Sequence, residues 1–257
     1  MHSIRLLQFT DSHLSGEAAA RYRGVLAHEA LARTVAQALR HFGRPDAFVL
    51  TGDLAHEDAG GYRWIREIFG AAGAPVLCIA GNHDLPEAMS SELGAPPFQI
   101  GGQLQMGRWL ILLLDSRVPG EDGGRLGGAQ LERLDAALQA HADKHVLLCL
   151  HHHPIAMHSR WLDTVGLEDA ADFNAVIGRH DNVRGVLWGH VHQALDTFSG
   201  GVRFMSTPST CVQFLPESAE FAMDQRPPGY RSLELMPDGS IATEVGWLAE
   251  DAARSVA

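Results

Sequence analysis

The chain has 257 residues, of which 46% are hydrophobic, and a formal net charge of −11 at pH 7. Its length and apolar fraction allow one large α/β domain or two small ones with a sizeable core. The negative charge argues against binding of a nucleic-acid polymer through a basic surface, and no apolar stretch reaches the ~20 residues that cross a bilayer.

Apolar runs and helical periodicity alternate along most of the chain. The runs predict five buried strands, at Ile4–Phe9, Ala47–Leu50, Val76–Ala80, Val146–Leu150 and Val183–Trp188. The periodicity predicts four amphipathic helices, at His28–Phe42, Tyr62–Phe69, Ala129–Ala142 and Asp169–Ile177. Strands that alternate with helices are typical of a layered α/β architecture.

The sequence changes character after His192. The segments Val202–Ser206, Arg231–Leu235 and Ile241–Trp247 have strand-like patterns, with turns and little helix between them. We therefore expect a second, partly antiparallel sheet there. The stretch Glu217–Pro228 has no periodicity, and we predict a surface loop that packs near the functional site or across a partner.

Metal-binding side chains follow each of the first five predicted strands. The segments are Asp11-Ser12-His13, Gly52-Asp53, Gly81-Asn82-His83-Asp84, His151-His152-His153 and Gly189-His190-Val191-His192. Carboxylate, amide and imidazole groups bind divalent ions, and rigid strands hold them in place. In the first and last segments, alternate residues would face one side if the backbone stays extended. The segments together predict a two-metal hydrolase site.

The order and content of these segments resemble the calcineurin-like metallophosphoesterase superfamily, whose pattern is D-x-H, G-D, G-N-H-[DE], H and G-H-x-H. Further segments resemble its bacterial class III 3′,5′-cyclic AMP phosphodiesterases, namely His151–Pro154, Trp161–Asp163, Gly189–Gln193, Ser206–Phe214 and Pro228–Leu235. The resemblance covers nearly the whole chain. It implies a single α/β domain over residues 1–257, in which two packed mixed β-sheets are flanked by helices.

The resemblance also implies a set of residues that hold two divalent metal ions. One ion would take Asp11, His13, Asp53 and His192, and the other would take Asp53, Asn82, His151 and His190. The implied reaction is hydrolysis of 3′,5′-cyclic AMP to 5′-AMP, with a metal-bound hydroxide as the nucleophile. The nitrogen and oxygen donors suit Fe, Mn, Zn or Co and leave the choice among them open.

Two residues are predicted to be catalytic without binding metal. By resemblance, His83 faces the substrate and donates to a phosphoryl oxygen or protonates the leaving group, while Asp84 orients or charges its imidazole. His152 is predicted to lie near the substrate and His153 to be structural. The predicted substrate-binding residues are His13, Asp53, Asn82, His83, His152 and His192.

These residues are compatible with three functions. The leading interpretation is the cyclic AMP phosphodiesterase; a broader phosphodiesterase, acting on other cyclic nucleotides or glycerophosphodiesters, would use the same metal centre. A non-catalytic scaffold is disfavoured because Asn82 and His83 are both intact. Protein phosphatase activity is disfavoured because Gly52–Asp58 lacks the arginine of G-D-x-x-D-R-G. A cyclic nucleotide is the expected partner, and the sequence leaves monomer and homodimer open.

The remaining histidines and the cysteines have plainer explanations. We expect packed or surface roles for the histidines outside the five segments, which are His2, His28, His41, His56, His141, His145, His158 and His180. Cys78 and Cys149 lie in apolar runs and are expected to be buried free thiols. The first residues lead into a strand without a signal-peptide pattern, so we expect a cytoplasmic protein.

Overall fold

Strands and helices alternate along the chain as predicted, in a computed structural model that describes residues 2–249. The strands within that range are β1 (Ile4–Phe9), β2 (Arg21–Tyr22), β3 (Val25–Leu26), β4 (Ala47–Thr51), β5 (Val76–Ile79), β6 (Phe98–Ile100), β7 (Gly102–Met106), β8 (Trp109–Leu113), β9 (His145–Cys149), β10 (Val183–Trp188), β11 (Leu195–Ser199), β12 (Val202–Ser206), β13 (Gln213–Phe214), β14 (Met223–Asp224), β15 (Gly229–Leu235) and β16 (Ile241–Trp247). The helices are α1 (Ala27–Phe42), α2 (Tyr62–Gly70), α3 (Pro86–Leu93), α4 (Gly128–Ala140) and α5 (Ala170–Ile177).

Most of the strands form two six-stranded mixed sheets. The first has the order β16–β15–β1–β4–β5–β6, with β1, β4, β5 and β6 parallel and β15 antiparallel to both of its neighbours. The second has the order β11–β12–β10–β9–β8–β7, with antiparallel pairs only at its edges. The strands β2 and β3 form one small hairpin, and β13 and β14 form another.

The C-terminal strands do not build a sheet of their own, which corrects the prediction. Strand β12 lies parallel to β10 in the second sheet, where Val186 pairs with Phe204. Strands β15 and β16 extend the first sheet instead, with Leu6 of β1 opposite Leu233. Alternation of apolar and polar residues identifies a strand but carries no information on a partner that is far away in sequence.

Apolar side chains fill three layers around the two sheets. The middle layer joins the facing sides of both sheets and includes Leu6, Val49, Leu77, Trp109, Leu147 and Leu187. The helices α1, α2 and α3 cover the outer side of the first sheet, and α4 and α5 cover that of the second. The predicted fold class, two packed mixed sheets flanked by helices, is confirmed.

The individual strands, helices and cysteines also agree with the predictions. The predicted strands and helices are present with bounds that differ by one or two residues. Cys78 and Cys149 are buried free thiols as predicted, and so is Cys211. Within residues 2–249, every helix is too short or too polar to cross a bilayer.

Candidate metal centre and substrate pocket

Five loops meet where β1, β4, β5, β9 and β10 end. They bring all the predicted metal ligands together, which are Asp11, His13, Asp53, Asn82, His151, His190 and His192. Ligand atoms of Asp11, His13 and His192 lie within 4.8 Å of one another, and so do those of Asp11, Asp53 and His151. Asn82 joins them through its Oδ1, which lies 3.2 Å from His151 Nε2.

The backbone at the predicted ligands of the first and last segments is left-handed rather than extended, which corrects the expected alternation. The angle φ is 54° at Asp11, 47° at His13, 64° at His190 and 48° at His192. Non-glycine residues in this region cost about 1–3 kcal/mol each and persist only where the surroundings fix them. Here backbone hydrogen bonds fix them, including those from Asp11 N to Gly52 O at 3.0 Å and from His13 N to Asp53 O at 2.9 Å.

Backbone carbonyls orient two of the imidazoles. His151 Nδ1 lies 2.7 Å from the carbonyl oxygen of Thr51, and His192 Nδ1 lies 2.7 Å from that of Val212. A carbonyl only accepts, so each Nδ1 carries the proton and donates it. Each Nε2 is therefore directed into the cluster, where His192 Nε2 lies 3.3 Å from Asp11 Oδ1. This carbonyl-to-imidazole arrangement is common behind metal-bound histidines.

Imidazole nitrogens of the cluster face one another, and one of them has no hydrogen-bond partner within the described range of the chain. Nε2 of His13 lies 3.2 Å from Nε2 of His192, and Nδ1 of His190 lies 3.3 Å from Nε2 of His151. Nε2 of His190 is buried and has no hydrogen-bond partner. Buried polar atoms without partners are uncommon and need an explanation. A divalent cation among these nitrogens provides one.

The charges in the cluster favour a cation beside Asp53. Its Oδ2 lies 3.5 Å from His151 Nε2 and 3.8 Å from His13 Nε2. Burial lowers the pKa of His151, but the negative charge of Asp53 outweighs it and raises that pKa to about 9. Burial lowers the pKa of His13 and His190 well below the usual range, so they stay neutral. Imidazole nitrogens around a carboxylate fit Mn, Fe, Zn or Co, and a metal ion would take the place of the His151 proton.

His83 lies at the substrate side of the cluster. Its backbone N–H donates to Asp53 Oδ1 at 2.9 Å, and its side chain is 25% exposed in the pocket. Its ring nitrogen Nδ1 lies 3.4 Å from Glu57 Oε1. The carboxylate that reaches the His83 ring is therefore that of Glu57.

The predicted contact between Asp84 and the His83 imidazole is not found. The Asp84 carboxylate instead accepts hydrogen bonds from four groups, which are the backbone N–H of Leu54, Ala55 and Gly81 and the hydroxyl of Tyr62. These bonds, 2.9–3.2 Å long, tie the loop after β4 to the loop after β5. Burial and the nearby charge of Asp53 raise the pKa of Asp84 to about 6.

His152 does not reach the pocket, contrary to prediction. It is fully buried, and its ring nitrogens lie 2.8 Å from Ser116 Oγ and 3.2 Å from the carbonyl oxygen of Asp122. Both nitrogens are therefore occupied by the protein itself. His153 is also buried, 3.6 Å from Asp163, in agreement with the structural role expected for it.

A cavity of about 460 Å³ opens beside the cluster. This volume is within the usual range for small-molecule sites. It is lined by six predicted site residues, His13, Asp53, Asn82, His83, His190 and His192, and by Tyr22, Arg23, Asp122, Trp161, Leu162, Thr164, Val165, Phe214 and Phe221. Phe221 belongs to the stretch Glu217–Pro228, which lies near the site as predicted.

Two aromatic residues that the sequence analysis did not assign to the site support His13. The Tyr22 ring stacks on the His13 imidazole with centroids 4.1 Å apart and an angle of 11°. His56 Nδ1 lies 3.2 Å from His13 Nδ1, so His56 has the packed role expected for it, against a predicted metal ligand. Its only sequence signal is its position, three residues after Asp53 on the same loop.

Comparison with known proteins gives one family and a consistent set of relatives. The sequence model described as Calcineurin-like phosphoesterase matches residues 4–194. The chain is 39% identical to the 3′,5′-cyclic adenosine monophosphate phosphodiesterase CpdA of Escherichia coli (strain K12), over 96% of this chain and 90% of that protein. It is 38% identical to the protein of the same name from Vibrio vulnificus, over 96% and 91% of the two chains.

Solved structures agree on the fold. A dimetal phosphatase from Danio rerio superposes with a TM-score of 0.67, covering 97% of this chain and 100% of the other. The two sequences are 14% identical, so this likeness concerns the fold alone.

We expect Asp84→Ala to destabilise the protein rather than act on turnover alone. The substitution leaves buried N–H groups of two loops without an acceptor, and each such loss costs about 1–3 kcal/mol. Urea unfolding should show the decrease, whereas Asp135→Ala, which removes surface contacts with Arg179 and His180, should change stability little. Unchanged stability in Asp84→Ala would contradict the loop-tying role.

Proposed function

The chain belongs to the calcineurin-like phosphoesterase family, and we propose that it is a metal-dependent enzyme that hydrolyses 3′,5′-cyclic AMP to 5′-AMP. The convergence of seven oxygen and nitrogen ligand residues, the buried Asp53 among them, at the base of a cavity large enough for a nucleotide is the observation that carries this proposal. The names and coverage of the relatives support the choice of substrate. We assign the whole chain, residues 1–257, to this one domain.

The proposed ligands divide into two sets that share Asp53. One set is Asp11, His13, Asp53 and His192, and the other is Asp53, Asn82, His151 and His190. The position of Asp53 Oδ2 between His13 and His151 supports the sharing. A pair of divalent ions supplies Lewis-acid chemistry, lowering the pKa of water and neutralising charge on the phosphoryl oxygens. We propose Fe, Mn, Zn or Co for both positions.

His83 is the proposed proton donor to the leaving group. Glu57 lies at its Nδ1, which leaves Nε2 for the substrate. A water oxygen adds to phosphorus, the bond from phosphorus to the 3′ oxygen breaks, and the Nε2 proton passes to that oxygen. The proton that the added water releases replaces the one that His83 has given up. The product is 5′-AMP. His13, Asp53, Asn82 and His192 line the cavity with His83 and are the other proposed substrate contacts.

Asp84 is a positioning residue in this proposal. Its hydrogen bonds to Leu54 N and Gly81 N hold the loops that carry Asp53, Asn82 and His83. It therefore acts through the placement of those residues rather than by contact with substrate.

The proposal extends to location and assembly. Cys78, Cys149 and Cys211 are buried free thiols, which is compatible with the reducing cytoplasm that we propose as its location. We propose a monomer or homodimer. A broader specificity for other cyclic nucleotides or glycerophosphodiesters is the alternative, since the cluster would contact phosphate and not base.

Product analysis tests the reaction. With metal content measured on the same sample, turnover should be compared on cyclic AMP, cyclic GMP and bis(p-nitrophenyl) phosphate. We expect cyclic AMP to give 5′-AMP with little inorganic phosphate, because the six-membered cyclic phosphate is strained and opens at the 3′ oxygen. Release of 3′-AMP, or equal release of phosphate from 5′-AMP itself, would refute the proposal.

Removal of the shared carboxylate tests the two-metal centre. We expect Asp53→Ala to lose both ions, because the residue belongs to both proposed sets. Elemental analysis of the purified variant measures this loss, with Asp135→Ala as the control that should keep two ions per chain. Full occupancy in Asp53→Ala would rule out the sharing.

Replacement of His83 separates proton donation from metal binding. We expect His83→Ala to keep its metal and to lose ~10²–10⁴-fold in kcat on cyclic AMP, the usual contribution of a general acid. An activated nitrophenyl ester should suffer less, because its leaving group needs little protonation. His41→Ala, at an exposed position, is the control. A kcat close to that of the unmodified enzyme on cyclic AMP would exclude this role for His83.

A further inference from the structure

Two hairpin tips meet at the mouth of the cavity. The hairpin β2–β3 turns at Arg23 and Gly24, where φ is 46° and 91° as in type I′ turns. The hairpin β13–β14 carries Phe221 in its connection. The Arg23 Cζ atom lies 4.5 Å from the centroid of the Phe221 ring, which is a cation–π contact across the mouth. The β2–β3 and β13–β14 connections are therefore joined by this one pair.

Aromatic rings lead from this pair to the proposed metal ligands. The centroids of Phe221, Phe214 and Trp161 are 5.2–5.3 Å apart pairwise, at angles of 72–78°. Phe214 stacks in turn on His192, with centroids 4.0 Å apart and an angle of 6°. One aromatic ring thus separates the Arg23–Phe221 pair from the histidine cluster.

The Arg23–Phe221 pair has exposed ring surface and unused hydrogen-bond donors that a ligand could contact. Phe221 is 44% exposed, which leaves apolar surface in water. Arg23 is the only Lys or Arg among the described residues that line the cavity, and it forms no ion pair with a carboxylate in the described part of the chain. Among residues 2–249, its one hydrogen bond runs from Nε to the Tyr22 hydroxyl at 3.3 Å. The terminal guanidinium nitrogens therefore keep their donors for a ligand.

We propose that Arg23 and Phe221 form the nucleobase subsite of this cavity. The inference rests on the proposed function for the position of the phosphate, which lies at the histidine cluster. The ribose then spans the Phe214 ring, and the base packs on the Arg23–Phe221 pair, with the guanidinium donating to acceptors on the edge of the base. Stacking on an aromatic ring is available to every base, so the pair recognises a nucleotide as a class.

Binding of two ligands that share a phosphate tests the subsite. Titration calorimetry on Mn²⁺-loaded protein should compare 5′-AMP with ribose 5-phosphate, which lacks the base. We expect Phe221→Ala to weaken 5′-AMP binding by about 10-fold, the order of one base–aromatic stack, and to leave ribose 5-phosphate unchanged. Phe221→Leu keeps an apolar side chain without a π face and should lose much of the same preference. Arg23→Gln should reduce it as well.

The chain offers a matched control. Phe198 is 67% exposed and has the Arg203 guanidinium 5.3 Å from its ring centroid, outside the set of residues that line the cavity. Phe198→Ala should bind both ligands as the unmodified protein does. Equal weakening of both ligands by Phe221→Ala, or unchanged 5′-AMP binding, would overturn the subsite.

This outcome is independent of the reaction itself. A base-dependent loss in Phe221→Ala without hydrolysis of cyclic AMP would support the subsite and defeat the proposed function. Hydrolysis of cyclic AMP with no base-dependent loss in Phe221→Ala would support the proposed function and defeat the subsite.

Discussion

The close approach of the loops at the strand ends is the constraint on which the rest of the structure depends. A Cβ atom at Gly189 would lie 2.7 Å from Asp11 Oδ2 and 3.0 Å from the carbonyl oxygen of Thr51, and one at Gly81 would lie 2.7 Å from His151 Cε1. Glycine is therefore required where the loops cross, because any side chain would separate them. The same closeness allows carboxylate, amide and imidazole groups from both sheets to share one small volume. The sandwich holds the strand ends, and the glycines let the loops meet.

This closeness creates an electrostatic problem that a cation solves. Asp11 and Asp53 are almost fully buried, and a buried charge is costly unless it is paired. The surrounding imidazoles compensate only in part, since burial keeps His13 and His190 neutral while Asp53 raises the pKa of His151. Such an arrangement favours a positive ion beside the buried carboxylates, with the lone pairs of the imidazole nitrogens directed at it. Metal binding and folding are coupled in such a site, because the donors come together only in the folded chain.

The sequence predicts the inner part of this site better than its surroundings, for physical reasons. Donor residues after apolar strands can be read directly. The alternation of strands and helices gives a layered α/β architecture, and the family resemblance implies the two packed sheets. The partner of β15 depends on pairing across more than 200 residues, which no local pattern encodes. The left-handed turns at Asp11 and His190 arise from bonds between loops, and the role of Asp84 is set by Leu54, Ala55 and Tyr62 in another segment. His56, Tyr22 and Phe221 enter the site by tertiary contact and carry no motif of their own.

The two halves of the cavity rest on different kinds of structure, which fits their different tasks. Phosphate chemistry needs donors fixed to within a fraction of an ångström, and the proposed ligands follow strands of two packed sheets. Recognition of a flat ligand tolerates more movement, and Arg23 and Phe221 stand on two-stranded hairpins, an element that is only marginally stable by itself. Phe214 connects the halves, because one of its faces stacks on His192 while its neighbours are Trp161 and Phe221. Changes in the hairpins can therefore alter which phosphodiester binds while the buried cluster below stays intact.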